Sequence, residues 1–170
     1  MKNYQFLLSA AVLSLAACTT ANKAGSTADS VLTQTTVASV DKTIFAKMHM
    51  KDELKAGDSL LLDFTVYNGA DTAMKFCKWH TPFEPLMSSY LEIKSENGEE
   101  ANYSGAMAKR MMPPPADSYI TLNPKDSLTT KVNLLKAYRI EKPGKYTVKY
   151  TGENMSGIVV RDSVTFTYKP

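Results

Sequence analysis

The sequence predicts an all-β fold, an antiparallel β-sandwich of about seven to nine strands. Apolar and polar residues alternate with period two in several short segments, as expected for strands with one buried face. Clusters of Gly, Pro, Asn and Asp separate these segments, and no long stretch has the periodicity of an amphipathic helix. Short strands with regular turn signals favour two packed sheets over a helical or mixed architecture.

The clearest strand pattern follows the turn Ala56–Ser59, where Leu60, Leu62, Phe64 and Val66 alternate with Leu61, Asp63, Thr65 and Tyr67. The turn Asn97–Gly98 predicts a hairpin. The predicted strands are residues 44–51, 60–67, 73–78, 90–95, 99–103, 119–122, 128–134, 146–150 and 160–168. Residues 106–112 are expected to form a short helix or an irregular segment, and residues 152–157 to form the last hairpin loop.

Residues 1–17 predict a secretory signal peptide, because a basic start precedes an apolar run that is too short for a permanent membrane span. The run ends in Leu15-Ala16-Ala17-Cys18, which resembles the lipobox of bacterial lipoproteins. The resemblance implies cleavage before Cys18 and acylation of that residue, hence a lipid anchor in a bacterial cell envelope, at the outer membrane. An ordinary signal peptide with a chance Cys is the alternative.

Residues 18–36 are rich in Thr, Ala and Ser, so the lipidated Cys18 is expected to be followed by a flexible tether. Residues 37–170 then form one domain, large enough to bury a core. The formal net charge is +3, and charges of both signs are interspersed. This pattern excludes a nucleic-acid partner as the expected role.

Catalytic motifs are absent from the sequence. The chain has two His residues, and neither His49 nor His80 begins the H-E-x-x-H pattern of a zinc hydrolase. No G-x-S-x-G nucleophile elbow and no glycine-rich phosphate loop is present. We therefore expect a protein that is not an enzyme and that needs no cofactor.

The stretch Phe76–Glu84 has the densest unusual chemistry in the chain, because it contains the single Trp, the single Cys apart from Cys18 and one of the two His. Trp79 and Phe83 could anchor a partner, since large aromatic side chains dominate interface energies. Alternatively, Trp79 plugs the end of the sandwich and Thr81-Pro82 only turns the chain. The sequence leaves both interpretations open.

Copper binding is a further alternative. Thioether, thiolate and imidazole groups suit Cu(I), although Met is also ordinary core filler. The residues concerned are Met48, His49, Met50, Cys77, His80, Met111 and Met112.

The turn Pro143-Gly144-Lys145-Tyr146 resembles the entry to strand F of immunoglobulin-like domains. There a Tyr makes a "tyrosine corner", and two residues later antibody domains carry a Cys. The resemblance implies these structural roles for Tyr146 and Val148 and an immunoglobulin-like sandwich.

The segment Lys78-Trp79-His80-Thr81-Pro82-Phe83-Glu84 resembles the K-W-x-T-P-x-E motif in the N-terminal pro-region of aspzincin (deuterolysin-type) metalloproteases. The similarity continues through residues 103–105, 109–110, 115–124 and 143–146. In that family the pro-region assists folding of the protease and covers its cleft. The resemblance implies that the candidate partner-binding residues are Lys78, Trp79, His80, Thr81, Pro82, Phe83, Glu84, Lys109 and Arg110.

The sequence ends at Pro170, directly after the last predicted strand, so we expect no catalytic domain after the sandwich. The expected function is a lipid-anchored, non-catalytic domain that binds an exported protease or another envelope protein, as an inhibitor or chaperone. A structural accessory domain of an envelope complex is the alternative.

Overall fold

The structure, a computed structural model, describes residues 43–169. Besides two 3₁₀ helices, Ala116–Ser118 and Leu134–Lys136, the described residues contain nine strands and one short α-helix. These elements are β1 (Ile44–Met50), β2 (Glu53–Lys55), β3 (Leu61–Asn68), β4 (Met74–Cys77), β5 (Leu91–Ser95), β6 (Tyr119–Leu122), β7 (Ser127–Asn133), β8 (Gly144–Tyr150), α1 (Glu153–Ser156) and β9 (Val164–Lys169). The predicted signal peptide, Cys18 and the tether lie outside the described residues.

The strands form three sheets with the orders β1-β3-β7, β2-β9-β8-β5 and β4-β6. All pairings are antiparallel except that of β2 with β9. This arrangement confirms the predicted all-β, immunoglobulin-like sandwich. None of the helices in the described part of the chain has the length and apolar character that crossing a membrane requires.

The alternating residues of β3 and β8 supply the centre of the core. Leu62, Phe64, Val66 and Val148 are 0% exposed. The Tyr146 hydroxyl donates a hydrogen bond to the Lys142 carbonyl at 2.7 Å, the backbone contact of a tyrosine corner. The rings of Phe64 on β3 and Tyr150 on β8 lie 5.4 Å apart, so the two larger sheets pack across one apolar layer.

The predicted strand at 99–103 is wrong. The turn at Asn97–Gly98 does form, with Gly98 at φ +83°, but its return arm makes only a bridge from Lys94 to Glu100. The opposite edge of β5 pairs continuously with β8. The physical reason is burial: β5 places Leu91 and Ile93 in the core, whereas residues 99, 100 and 102 are charged or polar and exposed.

Three smaller differences have local causes. The sequence analysis missed β2, because three residues with one buried side chain, Leu54, give too short a pattern. The last strand begins at Val164 instead of residue 160, after the exposed polar run 161–163. The loop 152–157 contains α1, which ends at Gly157 in the left-handed conformation.

Candidate functional site

The stretch Phe76–Glu84 forms the end of β4 and the loop that follows it, which we call the Trp loop (Lys78–Glu84). Phe76 and Cys77 pair with β6, and the Lys78 amide donates to the Ser118 carbonyl at 2.8 Å. Pairing then ends, and His80 adopts a left-handed φ of +59°. This conformation is unusual for a residue with a side chain, and here it directs the chain into a tight turn.

Polar side chains of the Trp loop hold its own backbone. The Thr81 hydroxyl donates to the Lys78 carbonyl at 2.6 Å and accepts from the Phe83 amide at 3.1 Å. The Glu84 carboxylate accepts from the His80 amide at 3.0 Å. Thr81 and Glu84 are both buried, so these bonds are sheltered from water. The Thr-Pro-x-Glu part of the motif therefore has a structural role in shaping the loop.

Arg110 closes over the Trp loop from the irregular segment 106–112. Its guanidinium donates to the Glu84 carboxylate at 2.5 Å and stacks on the Trp79 ring, 4.7 Å from the ring centroid. The Trp79 side chain is buried, with 7% of the residue exposed. Trp79 is therefore covered by the chain itself, which favours the structural interpretation of this residue over an exposed anchor.

The Trp79 ring does not occupy the position of the buried Trp in antibody domains. That Trp lies on strand C, the strand beside F. Here the strand beside β8 is β5, and it contributes Leu91 and Ile93 to the core. Trp79 lies in the loop before β5 and outside the main core cluster. Its environment comes from Arg110, which only the tertiary structure brings next to it.

A second set of contacts, which the sequence analysis missed, fastens the loop to the end of β8. The Tyr150 hydroxyl donates to the His80 carbonyl at 2.9 Å and lies 2.7 Å from the Ser156 hydroxyl. A Cβ at Gly152 would lie 2.3 Å from the same His80 carbonyl. Only glycine fits there, so the Gly152 position sets how closely the Trp loop approaches β8.

The half-buried side chains of the Trp loop divide between core and surface. Phe83 packs against Phe76 and Phe64, with ring centroids 5.2 Å and 6.3 Å apart. Burial lowers the pKa of His80 below its usual value, the Glu84 carboxylate opposes that shift, and the Arg110 guanidinium adds to it. Neutral imidazole is thus favoured at this position.

The other predicted site residues do not converge on the loop as a group. Lys109 is exposed and makes no hydrogen bond or ion pair with any part of the chain from 43 to 169. Met48 and Met50 face the core, whereas His49 lies on the opposite, exposed face of β1. Met111 and Met112 are exposed. Within residues 43–169, no three His, Cys, Asp or Glu side chains are grouped as metal ligands.

Comparison with known families places this geometry in context. The immunoglobulin-like domain family matches residues 47–161, so the chain belongs to that family.

Curated relatives are protease homologues. The chain is 25% identical over 101 residues to a neutral protease 2 homolog of Arthroderma gypseum, covering 59% of this chain and 27% of that protein. It is 26% identical over 101 residues to a probable neutral protease 2 homolog B of Trichophyton rubrum, covering 59% and 28%. The chain thus spans less than a third of the length of these relatives.

Among solved structures, a mutant β-glucosidase from Listeria innocua in complex with laminaribiose matches with a TM-score of 0.37 and 14% identity. The match covers 75% of this chain and 16% of that one. This similarity is too weak to support a conclusion about fold or function.

Proposed function

We propose that this protein is a non-catalytic, pro-region-like domain that binds an exported metalloprotease and inhibits it or assists its folding. The observation that carries the proposal is that its immunoglobulin-like region is similar to part of several neutral protease 2 homologues. A domain shared with a protease, and shorter than the whole protease, suits a role in contacting the protease.

The Trp loop supports a binding role because it is preorganised. Its buried hydrogen bonds and the Arg110–Glu84 pair hold one backbone conformation. A rigid loop loses little conformational entropy on binding, so more of the contact energy appears as affinity. The surface it offers consists of the partly exposed Lys78, His80 and Phe83 together with Lys109.

The proposal is tested by titrating the intact chain against a purified aspzincin-type metalloprotease in a peptide-hydrolysis assay, with complex formation followed by size-exclusion chromatography. We expect a stoichiometric complex. If the domain inhibits the protease, the rate of peptide hydrolysis falls; if it assists folding, that rate depends on whether the domain was present while the protease folded. Lys109→Glu should weaken the complex, whereas the exposed Lys149→Glu on β8 serves as a matched charge reversal. A protease that forms no complex and keeps its rate would rule the function out.

We also propose that Cys18 is lipidated and that the domain is displayed from the cell envelope, at the outer membrane. The proposal rests on the Leu15–Cys18 sequence. Labelled palmitate should be incorporated into the wild-type chain and not into Cys18→Ser, and membrane fractionation should move the variant to the soluble fraction. Equal labelling of both chains, or none of the wild type, would refute the anchor.

A further inference from the structure

The outer edge of β7 offers unpaired backbone. β7 pairs with β3 in an antiparallel register. Two bonds at its ends show which residues of β7 bond β3: the Asn68 amide donates to the Asp126 carbonyl, and the Leu134 amide donates to the Leu60 carbonyl. Even-numbered residues of β7 therefore bond β3, and odd-numbered residues point their amides and carbonyls outward. The outward groups of Thr129, Lys131 and Asn133 have no hydrogen-bond partner within residues 43–169.

The other long sheet edges of the described chain are covered over at least part of their length. Val159 covers the first half of β1, where the Ala46 amide donates to the Val159 carbonyl at 2.9 Å and the Val159 amide donates to the Ile44 carbonyl at 3.4 Å. Residues 99–101 cover β5, where the Ala101 amide donates to the Ile93 carbonyl at 2.8 Å. β2 has only three residues. β7 has seven residues, without Pro or Gly, so it lacks the usual protection of an exposed edge apart from Lys131.

A groove of about 370 Å³ runs beside this edge. One wall is Val132, Asn133 and the following turn, and the other is the end of the Trp loop, Pro82–Leu86. The Thr130 hydroxyl donates to the Pro82 carbonyl at 3.4 Å and joins the two walls. An extended chain added to β7 would thus lay alternate side chains against Phe83, Leu86 and Val132.

The charges along the groove select for an acidic occupant. Three charged residues line it: Glu84, Lys131 and Lys136. The Glu84 carboxylate is neutralised by Arg110, and the Lys131 ammonium is shared with Asp63 at 3.1 Å. Lys136 is exposed and has no ion-pair partner in the described chain. The groove therefore presents net positive charge to whatever lies in it.

We propose that the β7 edge and this groove bind an extended segment of the protease partner by β-strand addition, with apolar side chains toward the Trp loop and an acidic side chain opposite Lys136. Main-chain hydrogen bonds would supply affinity and the groove would supply side-chain selection. This inference rests on the proposed function and names the surface through which it operates.

The test uses a fluorescein-labelled peptide of alternating Val and Glu, with a Val/Lys peptide as the charge control. The whole chain is titrated, and binding is followed by fluorescence anisotropy and by amide hydrogen exchange. We expect the Val/Glu peptide to bind more tightly than the Val/Lys peptide and to slow exchange at Thr129, Lys131 and Asn133. Binding without slowed exchange at these amides would overturn strand addition, and so would the absence of binding.

Two substitutions at one residue separate backbone from side chain. Thr129→Pro removes an outward N–H without breaking a bond to β3, since Pro is tolerated at such edge positions. Thr129→Val removes the hydroxyl that contacts Thr65 and keeps the N–H. We expect Thr129→Pro to weaken peptide binding by about tenfold, the effect of roughly one lost hydrogen bond plus steric exclusion, and Thr129→Val to bind like wild type. Equal binding by both would contradict the proposal.

Different results separate this inference from the proposed function. If Thr129→Pro still forms the protease complex, the function stands and the edge is not its surface. If the wild type binds the peptide at β7 but not the protease, strand addition stands and the protease is not the partner. A concentration-dependent dimer of the wild type in sedimentation, lost in Thr129→Pro, would assign the edge to a second copy and overturn the proposal.

Discussion

The Trp loop and the β7 edge lie on two sides of one groove and use their polar groups in opposite ways. In the loop, the Thr81 hydroxyl, the Glu84 carboxylate and the Arg110 guanidinium all bond inward. On β7, the backbone of Thr129 and Lys131 is unbonded and faces outward. The residues with the most distinctive chemistry therefore have a structural role on one side of the groove. Ordinary strand residues on the other side present the free backbone N–H and C=O groups that a partner can bond.

The largest expected effect is that of Trp79→Ala. Because the ring is buried under Arg110, the substitution should lower the free energy of unfolding by about 3 kcal/mol, at the low end for a buried Trp because Arg110 can partly collapse into the space. Urea denaturation followed by circular dichroism measures it, since the chain has no other Trp to report by fluorescence. A loss below about 1 kcal/mol would show that Trp79 contributes no more to stability than a surface residue, and the Trp loop would then not differ from β7 in this respect.

Gly152→Ala tests how closely the loop must approach β8. The added Cβ would lie 2.3 Å from the His80 carbonyl, so one of the two backbones must move. We expect a loss of about 2 kcal/mol in the free energy of unfolding. Glu153→Ala, at the exposed neighbouring position, is the control and should change little. If Gly152→Ala were as stable as the wild type, the Trp loop would not need to approach β8 this closely.

Glu84→Gln keeps the shape of the side chain and removes its charge. The Arg110 guanidinium would lose an ionic partner in a sheltered position, at a cost of about 2 kcal/mol. The matched substitution is Glu99→Gln, whose pair with Lys142 is exposed and should not matter measurably. Equal effects of the two substitutions in urea denaturation would refute a special role for the Glu84–Arg110 pair.

The smallest effect concerns pH. The pKa of His80 is lowered in the folded state, chiefly by burial, so the unfolded chain takes up a proton first as pH falls. The contribution of His80 is therefore favourable above about pH 6.5. It is lost as pH falls from there toward the folded-state pKa. His80→Asn, which tolerates the left-handed φ, should flatten this part of a stability-versus-pH curve. If the stability of His80→Asn depended on pH as that of the wild type does, the His80 imidazole would be solvated, like the exposed side chains of β7.

Much of the fold could be predicted because strand periodicity is a local property. β1, β3 and β8 have seven or eight residues, and their predicted limits agree with the structure to within one residue, except at the start of β8, which differs by two. The prediction failed for residues 99–103, where contacts with other strands decide whether a strand forms. These residues carry a hairpin signal, yet they meet the second edge of β5 only at the bridge from Lys94 to Glu100, because residues 99, 100 and 102 are polar and exposed and give the pairing no buried face.

The candidate site followed the same rule. Its residue types and its turn at Thr81-Pro82 could be predicted, since a Pro after a strand must end it. The Arg110 cover on Trp79, the Gly152 contact and the positive φ of His80 could not, because each depends on residues that are distant in the chain or on the packing around them.

The sequence by itself determined an immunoglobulin-like sandwich and marked Phe76–Glu84 as its unusual segment, because alternation, turn residues and rare side chains are local features. Only the tertiary structure decided that Trp79 is buried and that β7 is the long uncovered edge of the described chain. Burial and edge exposure arise from contacts between distant segments, and no local pattern encodes which strand is left without a neighbour.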